Sequence, residues 1–202
     1  MWRWISIALI VILIGGGFFA GITIDKLQER MSQMQELLDL YEEVPQDYYS
    51  SNIFLHHSNT YSELCHFLKS EVVLPRDYKA GVFDCSESSA YLEWALENAG
   101  FDAVIVDGLN PITPEDGRHH AWVIAYTEDP YRVAIEATAL TGGTSYYNQF
   151  SSRTPGIVYL SDPGGENYYN GYECLYENIY QCVSSHMCVQ EWNWWEGYWG
   201  FN

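Results

Sequence analysis

Cys85 stands in Gly81-Val82-Phe83-Asp84-Cys85-Ser86-Glu87, directly ahead of a run with helical spacing. From Ser88 to Ala99 the residues Ala90, Leu92, Ala95, Leu96 and Ala99 recur at near-helical intervals, and Gly100 follows as a stop signal. Asp84 and Glu87 lie three apart, which predicts a capping box with Asp in the Ser/Thr place. Cys85 then falls in the first helical turn, where unpaired amides and the positive end of the helix dipole favour thiolate over thiol. The chemistry this offers is nucleophilic attack by sulfur.

A sulfur nucleophile needs a base and a group that orients the base. His120 opens an alternating segment, His120 to Tyr126, and a second, Tyr131 to Thr138, follows a short turn around Glu128, Asp129 and Pro130. Two such runs across a polar turn predict an antiparallel hairpin. With Tyr126 paired to Pro130, His120 lies opposite Glu136, their Cβ atoms roughly 5 Å apart on one sheet face. Cys85, His120 and Glu136 therefore compose a Cys-His-acid triad. A lone cysteine is ordinarily buried and inert; the combination is what favours catalysis. His119 is the rival base, since by strand alternation one of the two histidines faces the opposite side of the sheet. Trp122 reads as packing, Glu87 as a cap and Glu93 as solvated helix face.

Three blocks carry a family resemblance: Asp84-Cys85-Ser86-Glu87 with its helix, Gly117-Arg118-His119-His120-Ala121-Trp122-Val123, and Ile135-Glu136-Ala137-Thr138. In this order they resemble the transglutaminase-like superfamily, an α+β relative of the papain-like cysteine proteases, over roughly residues 75 to 140. The resemblance implies Cys85 as nucleophile, His120 as base and Glu136 as acid. The family's acid is most often Asp in a block ending Pro-Thr, whereas Glu136-Ala137-Thr138 stands here. The implied fold class is α+β, a transglutaminase-like/papain-like core with an antiparallel sheet and a Cys-bearing helix. The implied activity is a cysteine enzyme acting on amide bonds of a protein or peptide, by hydrolysis or by acyl transfer to an amine, with no cofactor and no metal. The competing expectation is a non-catalytic surface module that keeps the fold for binding or assembly.

The remaining organisation follows from composition. Ile5 to Ile24 is an uncharged apolar run long enough to span a bilayer, flanked by Trp2, Arg3 and Trp4. It predicts a single transmembrane helix, an anchor over residues 1–25, with the N-terminus cytoplasmic and the rest extracytoplasmic at the cell membrane. A cleaved signal peptide fits less well, since Phe18 occupies a place that wants a small residue. Residues 26–50 read as a helical stalk: Ile24, Leu27, Met31, Met34, Leu38 and Tyr41 alternate in steps of three and four. That stripe and the Gly17/Gly21 pair suit either a homo-oligomer or a helix laid on its own domain. Residues 51–160 form the expected catalytic core, with a helix at Tyr61–Lys69 and strands at Phe101–Val106 and Ile157–Leu160. Residues 161–202 form an extension dense in Tyr, Trp and Cys, which suits local packing, a stacking surface or a membrane contact.

An extracytoplasmic placement makes Cys65, Cys174, Cys182 and Cys188 an even set for two disulfides, with three connectivities open. A metal site using His186 with Cys182 and Cys188 is the alternative, without the tight spacing of structural zinc. The net charge of −18 repels phosphates and excludes nucleic acid as a natural partner. Phosphate-loop and dinucleotide fingerprints are absent.

Overall fold

The computed structural model describes residues 22–36, 38–39, 41–50, 53–109, 117–128, 132–140, 157–159, 171–185 and 192–198. The chain divides into two compact units, Met1–Glu42 and Glu43–Asn202. In the first, residues 22–36 are helical, and Ile24, Leu27, Met31, Met34 and Leu38 of the heptad stripe are exposed. The expected span Ile5–Ile24 lies outside the described residues as far as residue 21. Among the described residues, no helix is long and apolar enough to cross a membrane. The described helical stretch from residue 22 onward carries Asp25, Lys26, Glu29 and Arg30, too much charge for a hydrocarbon core. The transmembrane helix expected ahead of the core, and the single-pass cell-membrane placement drawn from it, are corrected accordingly.

The second unit is α+β. Helix α1 (Tyr61–Ser70) and helix α2 (Cys85–Ala99) precede strand β1 (Asp102–Leu109). Strands β2 (His119–Tyr126) and β3 (Arg132–Ile135) follow, then a 3-10 turn over Ala137–Leu140. Strands β4 (Ile157–Tyr159) and β5 (Tyr172–Tyr176) and helix α3 (Ile179–Ser184) complete the described elements. The five strands form one sheet in the order β4-β3-β2-β1-β5, every neighbouring pair antiparallel. Val104, Val106, Trp122, Ile124 and Ala134 make an apolar cluster on one face. The alternate residues Ala103, Ile105, Val123, Ala125, Val133 and Ile135 are buried as well. A sheet covered on both sides explains why β1 and β2 read as continuous apolar runs rather than strict alternation.

Helix α2 is the axis of the unit. Its residues from Ser86 to Leu96 are all buried, so its packing surrounds it rather than following one stripe. Trp94 Nε1 donates to the Tyr48 carbonyl. The Tyr48 hydroxyl donates to the Ala90 carbonyl at 3.1 Å and accepts from Trp194 Nε1 at 2.8 Å. Residues before and after the expected core thus clamp the same helix. The compact unit accordingly runs from Glu43, taking in the end of the expected stalk and the aromatic extension, because β5 continues the sheet and Trp192, Trp194 and Trp195 are buried in it. Of the roles open to that extension, packing is the one its described residues fill.

Two glycines are required by geometry. Gly100 ends α2 at φ +93°, and a Cβ there would meet the His56 ring at 2.6 Å. Gly108 sits at the irregularity where β1 meets β5, and a Cβ would come within 2.8 Å of Tyr172 Cα.

Candidate active site

The nucleophile position is built by local rules. Asp84 caps α2 and its carboxylate accepts from the Ser86 N–H at 3.2 Å, while Glu87 reaches back to accept from the Asp84 N–H at 2.9 Å. Both halves of the expected capping box are present, so Cys85 is the first helical residue. Glu87 has the capping role the spacing gives it. Ahead of the cap, Lys79 and Phe83 pair as a one-bridge hairpin, with Gly81 at φ +69° in its turn and the Phe83 ring fully buried. The entry to the helix is therefore fixed from both sides.

His120 projects from the start of β2, and Glu136 stands between β3 and the 3-10 turn. The His120 Nε2–H donates to Glu136 Oε2 at 2.8 Å. Cys85 stands close enough to His120 to raise its pKa, and with Nε2 committed to Glu136 the nitrogen left to the sulfur is Nδ1. The three residues singled out from the sequence are thus brought together from a helix terminus, a strand and a strand end.

The hairpin register differs from the expected one. Tyr126 pairs with Arg132, not Pro130, so by continuation Glu136 falls beside Trp122 and diagonal to His120. The two-residue shift leaves every side chain on its expected face, whereas a one-residue slip would have sent Glu136 to the other side. The extra reach is supplied by the longer Glu side chain. Its other oxygen, Oε1, accepts from the Thr138 hydroxyl at 2.5 Å, and the Thr138 backbone also bonds the carboxylate.

The electrostatics follow from this wiring. Burial alone would lower the His120 pKa, but the Glu136 carboxylate and the Cys85 contact outweigh it and raise the group to about 10. Burial likewise works to raise Glu136, and the His120 charge with the Thr138 bonds lowers it instead. At neutral pH the pair is an imidazolium and a carboxylate. The His120 ring lies nearly parallel to Trp122, 22° between planes and 6.2 Å between centroids, so Trp122 both packs and flanks the base.

His119 is set apart. It lies on the opposite strand face, half exposed, with Nδ1 at 3.4 Å from Asp107 Oδ2. Glu93 departs from expectation: it is fully buried, not solvated, and accepts from the Tyr49 hydroxyl at 2.8 Å. That same Tyr49 oxygen accepts the Ile179 N–H at 2.8 Å, tying α2 to the N-terminus of α3.

The disulfide expectation finds no pair among the described residues. Among the described residues, Cys65, Cys85, Cys174 and Cys182 form no disulfide with one another, and Cys188 and His186 lie outside the described residues. Cys65 is on α1, Cys174 on β5 at the sheet edge and Cys182 in α3, three separate elements. Among the described residues, no group of three or more His, Cys, Asp or Glu side chains is arranged to hold a metal ion. Sequence reading passed over Thr138 as a partner of the acid, although it was legible two residues past Glu136.

No family model matches the chain, and no solved structure matches it. The chain is similar to an uncharacterized protein of Methanocaldococcus jannaschii, 32% identical over 118 residues, which cover 46% of this chain and 49% of that protein. The chain thus spans about half the length of the curated relative it matches, and the likeness carries no activity with it.

Proposed function

We propose that the protein is a cysteine enzyme of transglutaminase-like type that acts on amide bonds of proteins or peptides through a thioester at Cys85. The observation that carries this reading is His120 bonded to the buried Glu136 at 2.8 Å beside Cys85, the first residue of a capped helix. A binding module has no need of that alignment. The Cys85 thiolate attacks the amide carbon, and the carbonyl electron pair moves onto oxygen. When the oxyanion collapses, the C–N bond breaks and the His120 imidazolium gives its Nδ1 proton to the leaving amine. Neutral His120 then takes a proton from the acceptor that attacks the thioester. Water as acceptor gives a peptidase or amidase, and an amine gives acyl transfer; hydrolysis is the default. Glu136 holds the tautomer and stabilises the imidazolium.

Trapping the acyl-enzyme tests the reading. The full chain treated with p-nitrophenyl acetate is expected to carry one acetyl thioester, on Cys85, by mass spectrometry. The Cys85→Ala protein should lack it, and His120→Ala should form it far more slowly. Casein with a fluorescent amine then separates hydrolysis from transfer. Acetylation spread over surface lysines with none on Cys85 would overturn the proposal.

A further inference from the structure

We propose that His57 is a proton-operated clasp that holds helix α1 against the end of α2, closed while the ring carries both protons and released when it gives one up. The His57 backbone N–H donates to the Ala99 carbonyl at 2.7 Å, at the opposite end of α2 from Cys85. Glu63, Phe67 and Glu71 follow at four-residue steps along α1 and its C-cap, so they share one face. The His57 ring bridges that face. Its Nδ1 lies 3.2 Å from Glu63 Oε2, and its Nε2 lies 3.2 Å from each oxygen of Glu71. The ring also meets Phe67 at 5.4 Å between centroids and stacks on Phe101 at 5.7 Å and 17°.

An ionised carboxylate only accepts hydrogen bonds. A ring with a carboxylate on each nitrogen is therefore satisfied in one state alone, the imidazolium, in which both nitrogens donate. The neutral ring keeps a single N–H, and its bare nitrogen then faces a carboxylate, acceptor against acceptor. The His57 side chain is only 11% exposed, which leaves water little access to replace the lost bond. Burial works to lower the His57 pKa, but the bonds and charges of Glu63 and Glu71 outweigh it and raise the group above its usual 6.5. The contribution of the clasp is accordingly whole below 6.5 and is lost as pH rises through the folded value. The charges facing the ring come from α1 and its cap. His66 reaches Glu71 at 3.8 Å from the exposed side, and Glu97, on the last turn of α2, is turned to the Ala103 N–H instead. Just ahead of α1, Asn59 Nδ2 donates to the Tyr126 carbonyl at 2.8 Å, and the Asn59 carbonyl accepts the Glu128 N–H at 2.7 Å. Those neutral bonds hold at either pH, so His57 is the titrating tie beside them.

Hydrogen exchange of the full chain at pH 6 and pH 9, corrected for the intrinsic rate, tests the clasp. In the wild type, protection of the amides from Leu64 to Glu71 should fall at least about tenfold between the two, and that of β1 and β2 should change less. Glu71→Gln is the control, because the Gln amide donates to the bare nitrogen of a neutral ring while Glu63 accepts from the other. That variant should keep α1 protected at both pH values. Wild-type protection that is equal at pH 6 and pH 9 overturns the clasp. So does a Glu71→Gln protein whose protection falls as steeply as the wild type's. Neither result touches the chemistry proposed for Cys85.

Discussion

Glu136 and Glu93 are both buried carboxyls in the same unit, and their surroundings drive them in opposite directions. Glu136 faces an imidazolium and the Thr138 bonds, and stays ionised below its usual range. Glu93, on the buried helix α2, faces the neutral Tyr49 hydroxyl. Burial raises its pKa well above the usual value, the Tyr49 bond opposing and Glu97 adding. What the difference teaches is that burial sets the cost of charge and the partner decides whether it is met. A charged partner makes Glu136 part of a reacting apparatus; a neutral one makes Glu93 a tie between α2, residues 47–50 and α3.

The largest effect expected from this comparison is on acyl chemistry. Glu136→Gln should slow Cys85 acetylation by about 10⁴-fold, because an amide neither stabilises the imidazolium nor fixes its tautomer. Glu93→Gln should leave the rate unchanged. Equal loss in both, followed by stopped-flow, would erase the distinction.

Stability should separate them next. His120→Ala leaves Glu136 buried without its counter-charge and should cost about 3–5 kcal/mol in urea unfolding. Adding Glu136→Gln to that variant should recover part of the loss, a coupling that a double-mutant cycle reads directly.

A smaller effect lies in pH dependence. His120 is raised from the usual 6.5 to about 10, so its contribution is whole below 6.5 and is lost as pH climbs towards 10. Glu136 is lowered, so its contribution is present above the usual 4.5 and is lost as pH falls through its folded value. Glu93 works the other way: above 4.5 the folded chain keeps a proton that the unfolded chain releases, so stability declines as pH rises. Glu93→Gln should flatten the fall in thermal midpoint from pH 5 upward, by roughly a few degrees. A midpoint curve that overlays the wild type would show that Glu93 is ionised in the folded chain.

The same two residues show what the sequence made legible. The helix carrying Cys85, its capping box and its Gly100 stop are written within a few neighbouring residues, and they formed as the spacing implied. Glu136 was found because its partner lies across one hairpin, and an even error in register keeps the face. Glu93 was misread because its partner Tyr49 is 44 residues away and no local pattern marks a tertiary hydrogen bond. The aromatic tail announced burial without naming its contacts, which are Tyr48, Tyr91 and Trp94. The disulfide expectation leaned on a compartment inferred from the N-terminal run rather than on geometry, and among the described residues Cys65, Cys174 and Cys182 sit on three separate elements with no disulfide between them.

The titration of His120 tests the central claim most directly. Two-bond nitrogen–proton correlation spectra of histidine-labelled protein, assigned with His120→Ala, report the state of each ring nitrogen through the pH range. The account predicts that His120 remains an imidazolium through neutral pH with a midpoint near about 10, and that Glu136→Gln shifts the midpoint down. A His120 that titrates near 6.5 in both proteins would contradict it.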